Sequence, residues 1–268
     1  RLAVPTAIAA GCDIFLFNKD LDEDIRFMKE GIANGILTPE RIDEAVTRIL
    51  AMKAALHLPE KQADALLVPT KEDLAVLKAE KHVEWAKQAA DNGITLVKDT
   101  AGNLPLRPEA TPRLLLQVIG PYEEANTQIT STVIPLLEKA GFRVTLYQPE
   151  DFTTGFESVS QFRSKYDAVL YLANVENRSN ATTTRINWYT FFGQGNNIPW
   201  FVDEVPTVFA SLGNPYHLMD VPMVKTYINT YDNHQAVIEA LVAKILGKSD
   251  FKGVSPIDPY CGLMDARR

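Results

Sequence analysis

The stretch from Asn174 to Asn197 concentrates side chains suited to contacting a ligand. Asn177-Arg178-Ser179-Asn180-Ala181-Thr182-Thr183-Thr184-Arg185 is followed by Trp188 and Tyr189. The Arg185 guanidinium could pair with a carboxylate or donate to a hydroxyl, and the Trp188 or Tyr189 ring could stack on a flat sugar ring. A surface loop with partly buried aromatics accounts for the same residues. Asn18 closes the apolar run Cys12-Asp13-Ile14-Phe15-Leu16-Phe17. If that run is a strand buried on both faces, Asn18 sits at its carboxyl end, where β/α proteins place ligand contacts. A turn asparagine before Lys19-Asp20 explains it equally. Asn214-Pro215-Tyr216-His217 follows another strand-like run and marks either the ligand-binding edge of a sheet or a structural turn.

Other chemistries lack their residues. His57, His82, His217 and His234 show no zinc spacing, and no metal is expected. No GxGxxG, GxxxxGK[ST] or GxSxG pattern occurs, which leaves a nucleotide cofactor and a serine nucleophile unsupported. A formal charge of −7 offers no basic face, so neither nucleic acid nor an anionic membrane is an expected partner. No apolar run approaches the roughly 18 residues of a membrane helix. Cys12 and Cys261 match no metal or redox spacing and read as reduced thiols. The opening Arg1-Leu2-Ala3-Val4-Pro5 is neither a start methionine nor a signal peptide. It suggests sequence lost upstream, and a cytoplasmic location is expected. The sequons at Asn177 and Asn180 matter only in a protein secreted by a eukaryote.

The positioning elements come from periodicity and punctuation. A helix ends near Gly11; another is expected from Asp20 to Asn34, with Gly35 ending it. Thr38-Pro39-Glu40-Arg41 opens a helix running to about Leu56, because Thr38 can cap it and Pro39 suits its first position. Pro59 to Pro69 reads as a linker, and Lys71 to Asn92 as one helix. Short apolar runs then begin at Ile94, Leu114, Val144, Ala168, Thr207 and Val224, with helices over 123–140 and 233–246. Strands alternating with helices predict a largely parallel sheet covered on both faces.

The words Ala9-Ala10-Gly11-Cys12-Asp13-Ile14-Phe15-Leu16 and Gly35-Ile36-Leu37-Thr38-Pro39-Glu40-Arg41-Ile42-Asp43-Glu44-Ala45-Val46 resemble the last strand and helices of the barrel of glycoside hydrolase family 3. A linker follows, as in that family's two-domain members, and then Ala89-Ala90-Asp91-Asn92-Gly93-Ile94-Thr95-Leu96-Val97-Lys98 and Leu104-Pro105-Leu106. Ser211-Leu212-Gly213-Asn214-Pro215-Tyr216 and Phe251-Lys252-Gly253-Val254-Ser255-Pro256-Ile257-Asp258 resemble its β-N-acetylhexosaminidase branch. The resemblance implies a three-layer α/β/α sandwich with a mainly parallel sheet, preceded by a remnant of a (β/α)8 barrel. The barrel remnant would occupy 1–58, a linker and connecting helix 59–84, and the C-terminal sandwich 85–268.

The same resemblance implies that the nucleophilic aspartate, and the acid/base histidine and aspartate, lie upstream, so no catalytic residue is expected in this chain. Retaining hydrolysis needs two groups about 5 Å apart, carried by loops of several strands. The chain alone is expected to be inactive, its parent taking a glycan substrate. The alternative is a stand-alone carbohydrate-binding or interaction module. Asn18, Arg185 and Trp188 are the candidate substrate contacts. Asp13 would either orient barrel loops near a sugar or satisfy backbone donors at the strand entry. Helices with apolar faces built for absent barrel strands would pair with another copy, so a homodimer is expected.

Overall fold

A computed structural model describes residues 2–64, 66–148, 158–177, 184–188, 190–191, 194–195 and 197–267. It divides into two compact units, residues 1–77 and 78–268.

In the first unit, helices α1 (Ala3–Ala9), α2 (Leu21–Ala33), α3 (Pro39–Ala55) and α4 (Leu58–Ala63) follow one another. The helix starts are written locally. The Asp20 carboxylate accepts from the Glu23 amide at 3.0 Å to begin α2. The Thr38 hydroxyl accepts from the Arg41 amide at 3.2 Å, with Pro39 opening α3. Gly31 lets α1 meet α2, since a Cβ there would lie 2.5 Å from that of Pro5. The expected strand over Cys12–Phe17 is absent. The segment has no ladder partner, and its apolar side chains face outward, Phe17 being 97% exposed. A run buried on both faces needs strands on either side and helices over it, and among its described residues the unit contains no strand to pair with.

The second unit is the α/β sandwich. The expected helix over 71–92 is broken into a 3₁₀ segment, Asp73–Lys78, which ends the first unit, and α5 (Glu80–Gly93) of the second, with Ala79 between them. Strands β1 (Thr95–Asp99), β2 (Arg113–Ile119), β3 (Arg143–Leu146), β4 (Ala168–Ala173), β7 (Thr207–Ser211) and β8 (Thr226–Asn229) form one sheet. Its order is β1-β8-β7-β4-β2-β3; every neighbouring pair is parallel except β1 with β8. β5 (Thr190–Phe191) and β6 (Gln194–Gly195) pair separately as a two-stranded ribbon.

Alternation along the strands loads two cores. Leu170 and Leu172 of β4, with Val208 and Ala210 of β7, join Ile129, Val133 and Leu137 of α6 (Glu123–Lys139) and Ile238, Leu241 and Ile245 of α8 (Gln235–Ile245). The opposite side chains Val169, Tyr171 and Phe209 join Phe162 of α7 (Val159–Lys165), Phe201 and Tyr227. Register aligns Tyr171 with Phe209 and Phe209 with Tyr227, and the rings stack with centroids 5.5 and 5.7 Å apart. Each such side chain contributes about 1.5–3 kcal/mol by leaving water.

The chain runs from β2 to β3 on one side, then crosses back to place β4 on the other side of β2. Connections therefore diverge between β2 and β4, and an open α/β sheet has its ligand crevice outside the carboxyl ends at such a divergence.

Candidate functional site

The sandwich has a cleft at that divergence, about 430 Å³ in volume, between the N-terminal half of α6 and the start of α8. α6 presents Gln128, Ile129 and Thr132; Glu176 comes from just beyond β4; Asn233 and Ile238 come from the approach to α8 and from α8 itself. A belt of amides sets its edge. Asn126 donates to the Gly120 carbonyl at 3.0 Å, and Asn174 donates to Asn126 Oδ1 at 3.1 Å. Asn233 then donates to Asn174 Oδ1 at 2.8 Å and to the Glu176 carboxylate. Two glycines admit this packing. A Cβ on Gly120 would lie 2.6 Å from both Asn126 Oδ1 and the Asn174 carbonyl, and one on Gly213 would lie 2.7 Å from Cγ of Glu176.

The three sequence candidates fall elsewhere. Arg185 pairs with Asp220 at 2.6 Å, and its neighbour Ile186 is buried in the sandwich. Trp188 is half-buried against the aromatic core. Asn18 belongs to the other unit, where it donates to Asp24 at 3.1 Å. Residues 178–183 and Tyr189 lie outside the described residues. Asp13 accepts from Arg41 at 2.6 Å and Arg48 at 3.1 Å, and these hydrogen bonds, chiefly that of Arg41, hold its carboxyl below its usual range. Arg41 also donates to the carbonyls of Ile8 and Cys12 at 3.0 and 3.1 Å, which ties α3 to the segment after α1. Among the described residues no group of His, Cys, Asp or Glu could hold a metal ion.

Sequence reasoning gave Asn214-Pro215-Tyr216-His217 two readings, and its contacts are those of a structural turn. His217 is buried; its Nε2 lies 2.7 Å from the Thr184 carbonyl and its Nδ1 2.7 Å from the Ser211 hydroxyl. A carbonyl only accepts, so Nε2 carries a hydrogen, and burial pulls the imidazole below its usual range. The Thr184 contact raises it, as does the charge of Asp220, while Arg185 lowers it further. Because the unfolded chain binds this proton first, stability is expected to fall as pH drops below about 6.5, by up to about 1.4 kcal/mol per pH unit, and to level off below the folded value. Thermal unfolding of the wild type and His217→Gln across pH 4–8 checks this; parallel curves would refute it.

No protein-family model matches the chain. It is 44% identical over 269 residues to a β-N-acetylglucosaminidase/β-glucosidase of Cellulomonas fimi, spanning 98% of this chain and 47% of that protein. Among solved structures it superposes on the β-glucoside phosphorylase BglX with a TM-score of 0.78 at 41% identity, covering 99% of this chain and 47% of that one. Its homologues are members of glycoside hydrolase family 3. A family 3 β-N-acetylglucosaminidase from Paenibacillus sp., 19% identical with a TM-score of 0.57, shares the fold over 94% of this chain and 46% of its own. The chain thus spans about half the length of the relatives it matches. No helix among the described residues is long and apolar enough to cross a membrane.

Proposed function

We propose that this chain is the C-terminal portion of a family 3 enzyme that cleaves terminal β-linked N-acetylglucosamine from glycans or cell-wall fragments, and that it is catalytically silent by itself. The observation that carries the reading is identity of 41–44% along almost the whole chain to proteins named for β-N-acetylglucosaminide and β-glucoside chemistry. One of those relatives is a phosphorylase, so the acceptor of the glycosyl group is either water or phosphate. The silence follows from chemistry. Cleavage at the anomeric carbon needs a nucleophile and a proton donor facing each other, and the described cleft is lined by a single carboxylate, Glu176. Apolar side chains along 14–17 and on α3, such as Leu50 at 58% exposure, would be covered by further barrel strands of the parent or by a second copy of the chain. The exposed thiols Cys12 and Cys261 fit a reducing, cytoplasmic setting.

The isolated chain is expected to release no 4-nitrophenol from 4-nitrophenyl β-N-acetylglucosaminide or β-glucoside, with or without phosphate. The enzyme encoded by the complete reading frame is expected to act on the N-acetylglucosaminide, the phosphate dependence naming its acceptor. Turnover by the isolated chain, or none by the complete enzyme, would overturn the proposal.

A further inference from the structure

We infer that the cleft between α6 and α8 is a binding site for an uncharged pyranose. The inference needs only this chain's own sandwich and stands or falls apart from the activity of any larger enzyme. Shape gives the size class, since about 430 Å³ holds one sugar ring with room for a substituent. The walls give the chemistry. Gln128 and Gln235 carry amides that donate and accept; Asn233, whose two N–H groups go to Asn174 and Glu176, and Thr132, whose hydroxyl donates to the Gln128 carbonyl at 3.1 Å, present acceptors, as does the Glu176 carboxylate. Planar groups of that kind match the adjacent hydroxyls of a sugar, each of which both donates and accepts. Ile129 and Ile238 lie beneath these groups and are almost wholly covered, so the surface that meets a ligand is mainly polar.

Anions are disfavoured. No lysine or arginine lines the cleft. The helix ends that could attract an anion are already occupied by acids: Glu123 and Glu124 fill the first turn of α6, and Asp232 accepts from the amides of Asn233 at 2.7 Å and His234 at 3.1 Å ahead of α8. The site is also built before a ligand arrives. Asn233 is fixed by Asn174 and Glu176, and His234 accepts the Ala236 amide at 3.4 Å through Nδ1, which directs Nε2–H away from the helix. A polar wall held in place loses little entropy when a sugar docks.

The test is a titration of the ¹⁵N-labelled chain with N-acetylglucosamine, glucose, glucosamine and inorganic phosphate, followed by amide shifts. Saturable shifts confined to 125–132, 174–176 and 233–238, with a dissociation constant of about 1 mM for one or both neutral sugars, are the expected result. Glu176→Gln and Gln128→Leu should each weaken binding at least about tenfold while leaving the remaining spectrum in place. Gln128 is exposed on α6, so its variant keeps the test decisive if Glu176→Gln unfolds. The assignment is overturned by absence of saturable shifts with either neutral sugar, by shifts mapping elsewhere, by unaltered affinity in the folded variants, or by preference for phosphate or glucosamine.

Discussion

Asp91→Ala is expected to destabilise the sandwich by about 3–5 kcal/mol, because it strands a buried ammonium. Lys244 of α8 is fully buried, and its Nζ donates to Asp91 Oδ1 at 3.0 Å, to the Ser249 hydroxyl at 3.2 Å and to the Asp250 carbonyl at 2.6 Å. Asp91 sits on α5 and also takes Ser249 and, at 3.0 Å, Lys252. One carboxylate therefore clasps two helices and the segment after α8. Removing both charged groups avoids the stranded ion, so Asp91→Ala combined with Lys244→Met should recover most of the loss, a non-additivity readable from urea midpoints. The same clasp titrates. Hydrogen bonds from Ser249, then Lys244 and Lys252, hold the Asp91 carboxyl well below the usual carboxylate range. A depressed acid stabilises above its unfolded value near 3.9 and ceases to do so as pH falls through the folded one, so Asp91→Asn should flatten the acid limb of the stability curve. Equal urea midpoints for the wild type and Asp91→Ala would refute the clasp.

Sequence reasoning could not see that clasp, because a lysine in the last turn of a helix ordinarily reaches water and its partner here lies 153 residues away. What it could see was local. Thr38-Pro39 set the start of α3, and the six apolar runs set the sheet strands within one or two residues, since cap chemistry and burial on both faces are written in adjacent residues. The helix over 71–92 failed at Ala79, where neither proline nor glycine marks the break. The short helix α7 was not foreseen, although Ser158 and Gln161 form a reciprocal cap that spells its start. The pairing of Arg185 with Asp220 and the packing of Trp188 on the aromatic core depend on residues distant in the chain, which the composition of their loop does not announce. The cleft went unread for the opposite reason. Gln128, Glu176 and Asn233 are unremarkable singly, and only the order of the strands and the packing of α6 against α8 bring them together.

Residues 1–77 expressed alone are expected to show no cooperative unfolding transition, whereas residues 78–268 alone keep one. The second unit owns a six-stranded sheet with a core on each face. Among the described residues of the first, Val4, Ile8, Leu37 and Ala45 are the buried hydrophobic side chains, while Ile14, Leu16, Phe17 and Leu50 face outward. These four side chains and Pro5 do not offset the conformational entropy of ordering a segment of that length. Local caps and the Arg41 contacts shape its helices, but tertiary burial is what normally makes helices of 6 to 17 residues persist. The apolar run at 12–17 thus carries a composition suited to a strand with neighbours on both sides, in a unit that supplies none. Circular dichroism during urea titration of 1–77 decides the matter. A sharp transition there, from a strict monomer by light scattering, would mean that the segment is a self-sufficient fold and would remove the physical ground for assigning it to a larger barrel.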